Sequence, residues 1–225
     1  ADPYQREFFY IQSKPVYPTT EIAPVLFGGI WWAPVNVGAT KLNDVVNVQA
    51  VDEVGYLYQL GRTYRSAYGT TNDVVTGPLT IAQANSAANI NKHILGHTDA
   101  PYDWLNPHND GLWSGVNSQG PCPDGWRLPL KAELELVKRA YDRGDAVFGN
   151  QRLEINGDEA GIKLYFPLGG YRSYTDNGKS NAQGLQTVFW ASDTESSGWA
   201  ICININSTNS IISVGNGYSR ANGLS

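Results

Sequence analysis

The sequence predicts an α+β domain in which one well-formed amphipathic helix sits among short antiparallel strands and long irregular loops. Three observations lead there. Aromatic residues make up 12% of the 225 residues and charged residues only 16%, alongside 24 Gly and 12 Pro. That is the profile of a loop-rich, β-containing globular chain and not of a disordered or coiled-coil one. A single strong helical stripe is present, at about residues 130–143, and the segments after it read as short apolar strands between turn residues.

Residues 1–27 read as a proline-rich N-terminal arm, and residues 28–225 as the domain proper. Pro15, Pro18 and Pro24 rule out a helix in the arm, and Glu7–Ile11 has the composition of one strand. Gly28–Asn36 opens the compact part with a strand ending at Pro34, and Gly55–Arg62 is a short apolar-aromatic run between glycines. From Ser66 to Gly120 the periodicity is lost, with weak helical character only over Ala82–Leu95. A stretch that long is either functional or packed on itself, and Tyr102, Trp104 and Trp113 suggest pinning by large side chains.

Cys122-Pro123-Asp124-Gly125-Trp126-Arg127-Leu128-Pro129 is a rigid corner. Its prolines fix φ, and its glycine supplies backbone angles that other residues avoid. The helix follows: Leu130, Leu134, Val137 and Tyr141 share one face, and Gly144 suits the C-terminal cap. Gly161–Pro167, Val188–Ser192, Gly198–Asn206 and Ser210–Val214 are strand-like, and the turn-forming residues Asn206–Ser210 make the last two a hairpin. Tyr171–Gln183 is a polar loop between strands.

Composition also excludes some partners. A net charge of −5 argues against nucleic acid, which is bound through clustered Lys and Arg. No apolar run approaches the ~20 residues of a membrane-spanning helix. The chain begins Ala1-Asp2-Pro3 and has no Met, so it reads as a mature product whose targeting segment has been removed. Low Lys with abundant Tyr, Trp, Asn and Gly suits an exported surface protein. Cys122 and Cys202 lie 80 residues apart, too far for a CxxC redox or zinc motif. Either they form a disulfide, worth ~4 kcal/mol by loop closure, or they are two buried thiols serving as small apolar residues.

Several landmarks together resemble a known family. Trp31-Trp32-Ala33-Pro34-Val35-Asn36-Val37-Gly38-Ala39 followed by Gly55-Tyr56-Leu57-Tyr58-Gln59 resembles the opening of the Fibrobacter succinogenes major paralogous domain. Asp103-Trp104-Leu105, Leu112-Trp113 and Pro121–Pro129 resemble its central signature, and Phe189-Trp190-Ala191-Ser192 its later aromatic strand. The resemblance covers roughly Phe27 to Ser225 and implies a C-type-lectin-like α+β fold, related in architecture to formylglycine-generating domains. It also implies export to the bacterial cell envelope, often as a lipoprotein or a fimbria-associated component. Two departures stand out. Family members end in a Ser-Val-Arg-Cys-Val strand, which by resemblance offers Cys122 another partner, whereas these residues stop at Gly223-Leu224-Ser225. Leu130 stands where the family has a Thr or Ser helix cap, a loss of ~1 kcal/mol unless another residue caps.

Candidate chemistry is sparse. His93, His97 and His108 all fall in the irregular stretch, far in sequence from either cysteine, so no nucleophile–base pair is evident. His93 and His97 have the i, i+4 spacing of a metal pair on a helix, but Gly96 lies between them and no Glu follows. The two-cysteine mechanism of the formylglycine-generating relatives does not match a lone Cys122 in a proline corner. Lectins of this architecture bind calcium through Glu-Pro-Asn or Gln-Pro-Asp with Trp-Asn-Asp, and neither motif occurs. Asn106-Pro107-His108-Asn109-Asp110 and Asp176-Asn177-Gly178 come nearest, and both look like ordinary turns. No cofactor is expected.

Two aromatic–polar loop patches remain as ligand candidates: Trp104, Asn106, His108 and Asp110, and Tyr171, Arg172, Tyr174, Asp176 and Asn177. Trp31, Trp126, Trp190 and Trp199 read as core. The expected function is a non-catalytic binding or adhesion module on the outer surface, recognising a glycan or surface protein and associated with fimbrial or envelope subunits. The arm is a candidate for strand addition to such a subunit. The alternative is an enzyme acting on glycans through Asp103, Asp110 or Asp176, which requires two carboxyls roughly 5–10 Å apart.

Overall fold

The structure, a computed structural model, describes residues 14–18, 20–42, 47–48, 50–70, 73–97, 102–194 and 199–225. The expected strand at 7–11 lies outside these residues. Strands β1 (Val25–Phe27) and β2 (Ile30–Trp32) form the first hairpin. Then come α1 (Val51–Val54), β3 (Leu57–Gln59), β4 (Arg65–Ser66) and β5 (Val74–Thr76), followed by α2 (Ile81–Ala84) and β6 (His93–Leu95). The main helix α3 (Lys131–Asp142) precedes a meander of β7 (Ala146–Gly149), β8 (Arg152–Asn156) and β9 (Lys163–Pro167). The chain continues through β10 (Tyr171–Arg172), β11 (Ser180–Asn181), β12 (Gln186–Thr194), β13 (Ala200–Asn206), β14 (Ile211–Tyr218) and β15 (Gly223–Leu224).

The fold is therefore mostly β-sheet with few helices. A five-stranded sheet runs β11-β10-β15-β3-β4, and two three-stranded sheets run β12-β13-β14 and β7-β8-β9. All of these pairings are antiparallel, while β5 and β6 form a small parallel pair. The hairpin expected over 198–214 is the β13–β14 pair, closed by the Asn206–Ser210 turn.

β13 shows why its sequence is apolar almost throughout. Alternate side chains point to opposite faces of a strand. Ile201, Ile203 and Ile205 face the core shared with α3, Leu153, Ile155, Leu164 and Phe166. Ala200 and Cys202 face a second cluster with Trp190, Val188, Leu60 and Leu224. Both faces of β13 are thus buried over Ala200–Ile203.

α3 buries Leu134, Val137 and Ala140 and exposes the pairs Lys138–Asp142 and Glu135–Arg139. Its C-terminus closes on Gly144, with φ of 82°: the Gly144 N–H reaches the Tyr141 carbonyl and the Asp145 N–H the Ala140 carbonyl, both at 2.9 Å. That pattern is a Schellman cap. At the N-terminus Leu130 has no acceptor to offer, and two carboxylates substitute for it. Glu133 Oε2 accepts from the Leu130 N–H at 2.7 Å, and Asp193 of β12 accepts from the Lys131 N–H.

Four expectations change. The boundary at 27/28 falls inside the β1–β2 hairpin, and Tyr17 is buried with Val35 and Ala39, so residues 14–27, as far as they are described, are built into the domain. Ala82–Leu95 is not one helix: α2 stops at Ala84 under a Thr80–Gln83 capping box, turns follow, and His93–Leu95 is strand. His93 and His97 therefore share no helix face. The Cys122–Cys202 disulfide is absent, and both thiols are free. Cys202 sits mid-strand with its Sγ 3.7 Å from the Gly215 carbonyl, whereas Cys122 lies in the corner loop; burial pushes each thiol up to about 12.

Candidate functional site

The first loop patch is largely consumed by internal bonds. Trp104 is 3% exposed, donates its indole N–H to the Leu60 carbonyl at 2.8 Å and packs with Ala84, Ile94 and Leu105. His108 is held between two carboxylates, Nδ1 to Asp103 and Nε2 to Asp110, each at 2.7 Å. Asp110 also accepts from Arg220 at 2.6 Å. Burial pushes the Asp103 carboxyl up, against the pull of His108, the Leu105 amide and Arg220. Asn106 is exposed, and the Asp110 side chain is 42% exposed despite its bonds.

The second patch divides in the same way. Arg172 is fully buried, its guanidinium bonded to both oxygens of Asp73 at 3.0 and 2.5 Å and to the Gly178 carbonyl at 2.5 Å. Tyr171 meets Tyr218 edge-on at 5.3 Å, and Tyr174 leans on Tyr102 at 6.3 Å. Asp176 and Asn177 are exposed on the turn that Arg172 anchors. Trp104 and Arg172 are thus framework residues, because each has a main-chain partner waiting in the interior.

His93, 1% exposed on β6, is another buried titratable group. Burial, with Arg172 and Arg62 nearby, pushes its imidazole down to about 2, so it is neutral in the fold. An unfolded histidine titrates near ~6.5. Below that pH the unfolded chain takes up a proton that the folded chain refuses, and stability falls progressively toward pH 2. Melting temperature is therefore expected to drop from pH 7 to pH 4, with a shallower slope in His93→Gln. Identical slopes in the two proteins would contradict this assignment.

A large concavity lies elsewhere, at the proline–cysteine corner. It is a cavity of about 570 Å³. Trp31, Val37, Trp126, Leu128, Phe189 and Ser225 are among its walls, with Pro15 and Tyr17 from the first described segment. The corner is shaped by turns from Gln119 to Cys122 and from Pro123 to Trp126, with Gly125 at φ of 79°. The Leu128 N–H is tied to the Ser118 carbonyl at 2.9 Å. Trp126 donates its indole N–H to the Val16 carbonyl at 3.2 Å and meets Tyr17 edge-on at 5.1 Å.

The cavity's polar wall groups are mostly spent. Arg127 bonds Glu133 at 2.8 and 2.5 Å and the Leu128 carbonyl at 2.9 Å. Burial raises the Glu133 carboxyl, but Arg127 and the Leu130 amide more than offset it and hold it below the ordinary carboxylate range. Asn36 gives its amide N–H to the Val54 carbonyl at 2.8 Å. What remains is an open, aromatic and aliphatic trough.

Comparison with family models, curated proteins and solved structures finds no match. The reading of the site therefore rests on its geometry.

Asp103, Asp110 and Asp176 lie outside both this cavity and a smaller one of about 240 Å³ beside Arg62 and Trp104. Among the described residues no group of three His, Cys, Asp or Glu side chains is placed to hold a metal ion, and no helix is long and apolar enough to cross a membrane. Sequence reasoning missed this cavity, because it assigned Trp31 and Trp126 to the core. Of the four tryptophans read that way, Trp190 is buried at 1% exposure, while Trp31, Trp126 and Trp199 are only partly covered. One readable signal existed: consecutive residues of a strand face opposite sides, so Trp31 and Trp32 cannot both enter the same core. Trp32 packs on Phe27 and Phe166, while Trp31 lies under the Lys14 ammonium.

Proposed function

We propose that the chain is a non-catalytic binding module of the bacterial cell envelope, with a C-type-lectin-like build and a glycan or surface-protein ligand. The observation that carries this reading is the open apolar cavity at the Cys122–Pro129 corner. Large concavities with aromatic walls are the ordinary form of a ligand site, and half-buried tryptophans such as Trp31 and Trp126 supply contact area there. Glu133, the side-chain carboxylate among its described walls, is engaged by Arg127 and the helix N-terminus, which suits binding better than acid–base chemistry. The resemblance of the corner to the Fibrobacter succinogenes major paralogous domain supports the exported, fimbria-associated setting and the lectin-like architecture.

The test is an array of host and bacterial glycans together with purified envelope and fimbrial proteins. It is probed with the native chain and with Trp31→Ala and Trp126→Ala variants that retain the native circular dichroism. At least one ligand should be captured, and its signal should fall about tenfold or more in the variants. A folded native chain that captures nothing would overturn the proposal, as would a ligand held equally by all three proteins.

A further inference from the structure

We infer that the smaller cavity, beside Arg62 and Trp104, is a binding site for a small organic carboxylate with an apolar body. This goes beyond the corner reading, since the two cavities share no wall residue. Four arginines are buried among the described residues: Arg62, Arg152, Arg172 and Arg220. Arg152 pairs with Glu154, Arg172 with Asp73 and Arg220 with Asp110. Arg62, 5% exposed, has no carboxylate partner among the described residues. Burial pushes its guanidinium down to about 10, with no neighbouring anion to offset the loss of water. A buried charge is costly until an opposite charge meets it.

The turn after β3 places this side chain. The Arg62 N–H closes on the Gln59 carbonyl at 3.0 Å, and Gly61 takes the positive φ of 83° that the turn requires. A guanidinium has five N–H donors. Nη1 gives two, to Gln59 Oε1 at 2.9 Å and the Lys92 carbonyl at 2.5 Å, and Nη2 gives one to the Asn89 carbonyl at 3.2 Å. All three acceptors are neutral. The Nε–H and the second Nη2 N–H have no acceptor among the described residues. They sit on adjacent nitrogens, spaced as the two oxygens of a carboxylate are, and two-point pairing is the strong way an arginine holds that group.

The cavity supplies the rest of the ligand's outline. Its volume of about 240 Å³ lies below the roughly 300–1,000 Å³ of sites for drug-sized molecules, so its occupant is small. The Tyr64 and Trp104 rings stand 5.4 and 5.5 Å from the guanidinium, and Ile81, Ile90 and Leu112 line the remainder. Ile81 and Ile90 are each 43% exposed, so an apolar body seated there would cover surface that water now wets. A phosphate would leave those walls bare and bring more oxygens than two donors can serve. A neutral apolar molecule would cover the walls and leave Arg62 without its counter-charge.

The experiment titrates the full chain with benzoate, followed by ligand-observed NMR, with benzamide, glucuronate and inorganic phosphate as comparison ligands. Saturable benzoate binding is expected, and benzamide, the same ring without the charge, should bind about tenfold or more weakly. Arg62→Met would also release the turn that carries Asn89 and Lys92, so the test variant is Ile90→Glu, which sets a carboxylate in the wall at an exposed position. It should keep the native circular dichroism and bind benzoate about tenfold or more weakly, because like charges then face each other. Equal binding of benzoate and benzamide would overturn the anion site in favour of a plain apolar pocket. Benzoate held equally by Ile90→Glu would lie outside this cavity and overturn the inference. Glucuronate or phosphate bound more tightly than benzoate would overturn the apolar body, and a folded native chain that binds no benzoate would overturn the site altogether.

Discussion

Arg172→Met is expected to destabilise the fold by about 3–5 kcal/mol, the range for breaking a buried ion pair by removing one partner. Arg172 is 0% exposed, and its three donor nitrogens are all engaged, two by Asp73 and one by the Gly178 carbonyl. Methionine fills much of the volume but leaves the Asp73 carboxylate and that carbonyl without their donor. With domains stable by only ~5–15 kcal/mol, the loss takes a large share of the total. Asp73→Leu should cost a comparable amount, and the double variant clearly less than the sum, because the two residues share one interaction. Urea unfolding with an unchanged slope is the measurement. A change within about 1 kcal/mol in Arg172→Met would instead return the guanidinium to the list of ligand-binding groups.

Trp104→Ala is the second large effect, expected at about 3–5 kcal/mol, as for other buried aromatic truncations. Its ring packs among Ala84, Ile94, Leu105 and Ala221, with the Arg62 guanidinium 5.5 Å from the ring centre. Trp104→Phe keeps most of the packing and loses the bond to the Leu60 carbonyl, at about 1–2 kcal/mol. The two variants together separate packing from hydrogen bonding in thermal and urea unfolding. Neither should alter ligand capture while the protein remains folded, since Trp104 is not part of the large cavity. Loss of capture without loss of stability would show that the loop patch, and not the corner, is the ligand site.

These two residues mark where the sequence was legible and where it was not. α3 and the β13–β14 hairpin could be read directly, because their signals are local: a helical apolar stripe ending at Gly144, and a turn between two apolar runs. Trp104 and Arg172 looked like surface residues because Asp103, Asn106, Asp176 and Asn177 surround them in sequence. Their burial is decided by partners 44 and 99 residues away, Leu60 and Asp73. Nothing in the neighbouring residues carries that information. The cap of α3 is similar, with Asp193 arriving from a strand 62 residues downstream. The cavity is the extreme case, assembled from β2, the corner, β9, β12 and the residue after β15. Only the paired tryptophans of β2 hinted at it.

The Asp193 cap has a mechanical consequence. It fastens the first turn of α3 to the same strand whose edge borders the cavity, and the Pro129–Ser192 main-chain bond at 2.9 Å adds a second tie beside it. Glu133, on that turn, holds Arg127 of the corner in place. Helix, corner and strand edge are therefore clamped as one rigid unit, and the trough does not need to be shaped by what enters it. Such a site is preorganised: a ligand loses its own freedom on binding while the protein gives up little more.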